Sequence, residues 1–335
     1  MVAPATMALM PPTDRRRFLQ SLLAAGAALP AAARALGQAT TQTPVRRPPV
    51  PITATRLDAH LVVLMGNGGN MALVTGGPPS GNDGPLLIDT GYLERADELA
   101  RAVGDQLGDR GGAPLRTVFN THWHVDHVGA NPKFGGLGAT IVAHANVKTR
   151  LSETVTVEAM NNRVFAPLPE VGLPKQTFER GGSFQTGAGK IAYTHFATAH
   201  TDGDSYLFFP DRNILHTGDL FWNALYPLID YSTLGWIGGM AAATAQLLQT
   251  CDASTRIIPG HGALATKDDL ARAHAMLATL QGRLEEMIAQ GKSADEAVAA
   301  KPSQEFDAAF ARGMKPDAFV RMAYTGILRH RGRQG

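Results

Sequence analysis

Thr121-His122-Trp123-His124-Val125-Asp126-His127 sets three imidazoles and one carboxylate within six residues, directly after the apolar run Leu115 to Asn120, which reads as a strand. Loops at strand ends are where a rigid scaffold presents chemistry. In a turning backbone His122 and His124 can point to one side while Asp126 and His127 address a second point, because one metal ion cannot easily use all four. Imidazole and carboxylate suit zinc at about 2.0–2.2 Å, and an open coordination position makes such a site catalytic. Cys251 is the single cysteine of 335 residues, so a thiolate cluster is excluded and eleven histidines are the available donors.

Outward from this segment, the chain alternates short strands with Gly-rich turns. His60–Met65, Met71–Thr75 and Leu86–Asp89 read as a meander joined by turn chemistry at 66–70 and 76–84. Tyr92–Leu107 follows as an amphipathic helix with Leu93, Ala96, Leu99, Ala100 and Val103 on one face. A second series begins with a strand at Thr140–Ala143 and a helical stretch from Ala145. Strands are then expected near Ile191–Phe196, Ser205–Pro210, Asn213–Thr217 and Arg256–Pro259, with helices at about Gly238–Gln249 and Lys267–Gln290. From Ser293 to His330 the tail reads as helical, broken at Lys301-Pro302 and Lys315-Pro316. Two sheet-and-helix halves on one core predict a layered α/β sandwich rather than a doubly wound parallel sheet.

Three later strand ends carry single copies of the same chemistry: Ala199-His200-Thr201-Asp202-Gly203-Asp204, His216-Thr217-Gly218-Asp219 and Ile258-Pro259-Gly260-His261-Gly262. In this order, after His-x-His-x-Asp-His, they resemble the metallo-β-lactamase superfamily of zinc hydrolases, over about residues 58 to 265. The resemblance implies a four-layer αβ/βα sandwich with a helical C-terminal extension. It implies that His122, His124 and His200 hold one zinc ion, that Asp126, His127 and His261 hold a second, and that Asp219 bridges them. It further implies a metal-bridging hydroxide that opens a carbonyl–heteroatom bond in a β-lactam, lactone or thioester, with Asp126 also orienting the hydroxide and receiving its proton. The segment His200–Phe221 looks closest to the β-lactam-hydrolysing, periplasmic branch. The best-known β-lactamases of that branch have a cysteine ligand where this chain has Asp219; aspartate there resembles instead the glyoxalase-, thioesterase- and lactonase-like members. Two other readings remain open: a mononuclear iron dioxygenase acting on persulfide sulfur, and a non-catalytic periplasmic accessory of a redox system.

Residues beside the motif have plainer roles. His216 reads as a buried histidine or one steadying a ligand, and so does His144; Asp202 and Asp204 read as turn-formers or as carboxylates supporting a ligand. Asn67 and Asn70 fit turn positions, in a loop that could also reach over the metals. Trp222, Tyr226, Tyr231 and Trp236 are read as the wall of an apolar substrate pocket or, equally, as core.

The first 35 residues resemble a twin-arginine export signal: Arg15-Arg16 and Phe18-Leu19, a weakly apolar Ser21–Leu29, then Ala-Ala-Ala-Arg-Ala ending at Ala35. Residues 36–51 are a linker, 52–265 the catalytic domain and 266–335 the helical extension. The expected location is the periplasm, the partners the twin-arginine export machinery and a small-molecule substrate. The formal charge of +2 belongs to the leader, since four Arg and one Asp lie within residues 1–35 and the remainder carries −1. No basic patch interleaved with aromatics suggests nucleic acid, and no apolar run reaches the roughly 18 residues of a membrane span.

Overall fold

Strands buried on both faces decide the layering. Along Leu61–Met65, Leu61 and Val63 pack into one apolar cluster while Val62 and Leu64 pack into another, which puts layers on both sides of the sheet. Ile214 and Leu215, and Ile258 and Ile257, divide in the same way in the second sheet. The computed structural model describes residues 50–76, 84–108, 114–186 and 189–333. The expected leader at 1–35, almost all of the linker and most of the 76–84 turn lie outside them.

The first sheet begins with β1 (Thr53–Arg56), β2 (Leu61–Met65), β3 (Met71–Val74), β4 (Leu86–Ile88), β5 (Thr117–Phe119) and β6 (Thr140–His144). A separate hairpin of β7 (Val155–Val157) and β8 (Arg163–Phe165) intervenes before β9 (Gln176–Phe178) completes the sheet beside β6. Pairing is antiparallel from β1 to β4 and parallel from β4 to β9. The second sheet runs in chain order through β10 (Gly181–Thr186), β11 (Gly189–His195), β12 (Ser205–Phe209), β13 (Ile214–His216) and β14 (Arg256–Ile258), with only β13 and β14 parallel. Between the sheets lie Leu61, Val63, Ile88, Phe119, Val142, Leu207, Phe209, Ile214 and Ile258.

Helices α1 (Ala96–Gly108), α2 (Val125–Val128), α3 (Asn131–Gly136) and α4 (Ala145–Ser152) belong to the first half. Leu99, Val103 and Phe134 cover the outer face of the first sheet. Leu93, expected on the buried face of the first helix, is instead 57% exposed. Residues 93–95 form a 3-10 turn, whose tighter winding rotates Leu93 off the stripe that starts at Ala96.

The second sheet is covered by α5 (Ile237–Thr250) and α6 (Lys267–Ala289), followed by α7 (Ala294–Ala299), α8 (Gln304–Phe310) and α9 (Pro316–Arg331). A capping box starts α6, where Thr266 and Asp269 each accept the other's backbone N–H. Pro316 opens α9, where its missing N–H costs nothing. Leu270, Leu277, Phe319 and Ile327 share one core with Leu215 and Ile257, so the C-terminal helices form the fourth layer. The arrangement is the αβ/βα sandwich expected. Among the described residues no helix is long and apolar enough to cross a membrane.

Candidate metal centre

Four strands end on one side of the sandwich and deliver the donors. His122, His124, Asp126 and His127 follow β5, His200 follows β11, Asp219 follows β13 and His261 follows β14. The seven form two groups: His122, His124, His200 and Asp219, then Asp126, His127 and His261; within each group the donor atoms all lie within 4.8 Å of one another. Asp219 joins them, its Oδ1 3.1 Å from His127 Nε2 and its Oδ2 3.3 Å from His200 Nε2 and 3.5 Å from His261 Nε2.

Three of the five rings are aimed by a bond on the far nitrogen. His127 Nδ1–H donates to Asp89 (2.8 Å) and His200 Nδ1–H to the Leu228 carbonyl (2.7 Å), which leaves both Nε2 atoms facing inward. His124 is turned the other way, with Nε2 3.3 Å from Asp230 and Nδ1 toward the centre. Asp89 also accepts from the Thr121 backbone and hydroxyl, fixing the start of the motif. Asp230 caps the turn Tyr231–Thr233 and accepts from Thr233. Carboxylates behind metal-binding imidazoles set tautomer and orientation, and Asp89 and Asp230 do this here. Asp230→Ala is expected to weaken metal affinity about ten- to hundredfold, measured by competition with a chromophoric chelator.

Two inward-facing nitrogens, His124 Nδ1 and His200 Nε2, lie 2.8 Å apart, and His127 Nε2 and His261 Nε2 lie 3.3 Å apart. His122 Nε2 and Asp219 Oδ1 are buried without any hydrogen bond. Lone pairs converging in this way, among five imidazoles and a shared carboxylate, fit bound metal cations. The electrostatics agree. Burial holds His122 well below the ordinary histidine range and His200 at about 4, so both are neutral donors. Burial opposes the charged form of His261, but Asp219 and Asp126 outweigh it and raise the ring to about 9. Asp126 is likewise drawn down to about 2 by His127 and His261 against the effect of burial. The second group therefore holds protons that an incoming cation displaces.

Glycines let the neighbouring loops close on the ligands. A Cβ on Gly69 would fall on the His127 ring, and one on Gly260 would fall on Asp219 Oδ1. The 66–70 loop is bonded to both ligand loops: Gly69 N–H donates to Asp126 O and the Asn70 side chain to Pro259 O and Gly262 O. It braces the ligands from the side.

The remaining histidines and aspartates fall outside both groups. His216 is buried and accepts from Gly218 N–H. His144 bonds Glu179 O and stacks at 3.6 Å on His195, so it supports no ligand directly. Asp202 pairs with Arg150, while Asp204 accepts from the backbone of His200 and Thr201 and holds that ligand's loop. Cys251 is buried at the end of α5 and is no donor.

Of the four aromatics only Trp222 touches a ligand, its ring 4.2 Å from that of His261. Trp236 stacks on His330, and Tyr226 is fully buried against Phe319 at 4.4 Å, with its hydroxyl donating to Asp307 at 2.7 Å. Tyr226 is thus a core residue tying the centre's side of the sandwich to the C-terminal helices, and the pocket reading does not apply to it. Tyr226→Phe is expected to cost about 1 kcal/mol of stability by denaturant titration and to leave turnover unchanged.

The family described as "Metallo-beta-lactamase superfamily" matches residues 64–272. Among solved structures, a stereoselective inverting sec-alkylsulfatase from a Pseudomonas species is similar at 16% identity and a TM-score of 0.61, covering 82% of this chain and 50% of that one. DIM-1 metallo-beta-lactamase is similar at 14% identity and 0.53, covering 69% and 98%, and a metallo-beta-lactamase from Pontibacter korlensis at 19% and 0.52, covering 68% and 99%. The chain spans about half the length of the alkylsulfatase it matches. These likenesses establish the fold.

Proposed function

Because the chain belongs to the metallo-β-lactamase superfamily, we propose that it is a dinuclear zinc hydrolase that opens a carbonyl–heteroatom bond in a small lactam, lactone or thioester, after export to the periplasm by the twin-arginine route. The observation that carries this reading is the meeting of a four-donor and a three-donor group at one shared carboxylate, Asp219. Zinc ions held there would supply a water acidified toward neutrality and an electrophile for the carbonyl oxygen. Asp126 stays ionised beside His127 and His261 and is among the more accessible donors, so its carboxylate can take the proton of the attacking water and pass it to the leaving group. His122 and His200 stay neutral and hold position. The complete second group, Asp126, His127 and His261, favours this reading over a mononuclear iron oxygenase. Aspartate at 219 in place of a thiolate favours lactones and thioesters over β-lactams.

Metal analysis of the purified chain, followed by a panel of one β-lactam, one lactone, one thioester and one secondary alkyl sulfate, tests the proposal. About two zinc ions per chain and carbonyl hydrolysis that His124→Ala abolishes are expected. About one iron with oxygen uptake on a persulfide, turnover of the sulfate alone, or two metals with no turnover at all would each replace it.

A further inference from the structure

Buried polar atoms nearly always have a hydrogen-bond partner. Among the described residues His122 Nε2, Asp219 Oδ1 and Trp222 Nε1 are exceptions. The first two carry lone pairs, which a cation satisfies. Trp222 is different in kind, because an indole N–H only donates. No cation can complete it; an acceptor can. Trp123, by contrast, already donates its indole N–H to Thr233 Oγ1 at 3.3 Å. A half-buried tryptophan ordinarily keeps its apolar body inside and gives its polar edge to water or to a partner. Trp222 is half-buried as a residue, yet its one polar side-chain atom is enclosed and unbonded.

The ring is held against both donor groups. Its centroid lies 4.2 Å from that of His261 and 6.3 Å from that of His200. Those are the two rings whose Nε2 atoms flank Asp219 Oδ2, at 3.5 and 3.3 Å. The backbone locks the indole in this place. Trp222 pairs with His261 as a parallel bridge, Gly260 N–H donates to Phe221 O, and Asn223 N–H donates to His261 O. The His261 and Asp126 side chains are 18% and 17% exposed, whereas the other donors are at 3% or less. Trp222 therefore stands on the open side of the centre, where a small molecule arrives.

We infer that Trp222 donates its indole N–H to an oxygen of the molecule bound at the centre, which makes it a specificity-determining residue for ligands that place an acyl or carboxylate oxygen, not sulfur, beside His261. This rests on the hydrolase reading for taking that molecule as substrate or product, but the bond itself can be read without turnover. The probes are acetate, which supplies the oxygens, and ethanethiol, which supplies a thiolate and no oxygen. Each is titrated into the zinc-loaded full chain carrying nitrogen-15-labelled tryptophan, and the Trp222 indole resonance is identified by its absence in Trp222→Phe. Acetate should move the indole proton downfield and slow its exchange with solvent; ethanethiol should do neither. Trp222→Phe should bind acetate about tenfold more weakly while its affinity for ethanethiol stays within about twofold. An indole proton that acetate leaves in place overturns the inference. So does one that both probes move equally, or a Trp222→Phe chain weakened equally toward both. Should Trp222→Phe not fold, the resonance is identified by elimination with Trp123→Phe and Trp236→Phe, and the response to the two probes decides. A proton that answers acetate in a chain that hydrolyses nothing in the panel fails the hydrolase reading alone.

Discussion

Asp219→Ala is expected to lower turnover by at least about a thousandfold and to release bound metal from both donor groups together. The size follows from position. One carboxylate lies within 3.7 Å of ring nitrogens from His122, His127, His200 and His261, so its removal leaves the two donor groups without their common anion. Lewis-acid stabilisation of several kcal/mol depends on both cations staying in place, and several kcal/mol corresponds to about three orders of magnitude in rate. Steady-state kinetics on whichever panel substrate is turned over, with metal content measured on the same sample, checks it. Loss of only one ion with turnover within tenfold of the unaltered protein would show that Asp219 does not bridge.

Removing the metals should destabilise the fold more than any single core substitution named above. Five imidazoles and the carboxylates of Asp126 and Asp219 converge on one buried region, and without cations the inward lone pairs face one another. A ligand present at about a thousand times its dissociation constant stabilises by about 4 kcal/mol, and a domain of this size shifts about 2–4 °C per kcal/mol. Exhaustive chelation is therefore expected to lower the melting temperature by about 10 °C or more, and zinc to restore it. Lower pH should mimic the chelator in part. His261 is raised to about 9, so protons compete with metal for it throughout the neutral range and compete harder as pH falls. Calorimetry of the zinc-loaded and stripped protein at two pH values reads both effects; identical curves would mean that the donor groups hold no metal.

That these seven candidate donors would meet was legible because their pattern is local: four sit in one hexapeptide, and the other three each close an apolar β-rich run. The layering was legible for a similar reason, since continuous apolar strands such as Leu61–Met65 can only belong to a sheet covered on both faces. Asp89 and Asp230 were not, although they aim His127 and His124. A single aspartate after a strand, or before a serine and a threonine, looks like ordinary turn chemistry, and its target is 38 or 106 positions away. Tyr226 read equally as pocket wall or core because it sits in a cluster of aromatics just past Asp219, and what decides for core, its packing on Phe319, comes from the last helix. The hairpin of β7 and β8 and the strands β9 and β10 were missed because they are short or largely exposed, and carry no run of apolar residues.

Donors delivered by both sheets also bear on how the protein comes by its metal. His124 and His200 are 76 positions apart and His127 and His261 are 134 apart, so neither group exists until distant parts of the chain have met. Contacts of such long sequence separation close late in folding. Ion capture is then a receipt for a finished fold, and the ion taken is the one abundant where folding finishes, since availability as much as affinity selects a metal. If the chain is exported already folded, as proposed, the first ion it takes is one available in the cytoplasm.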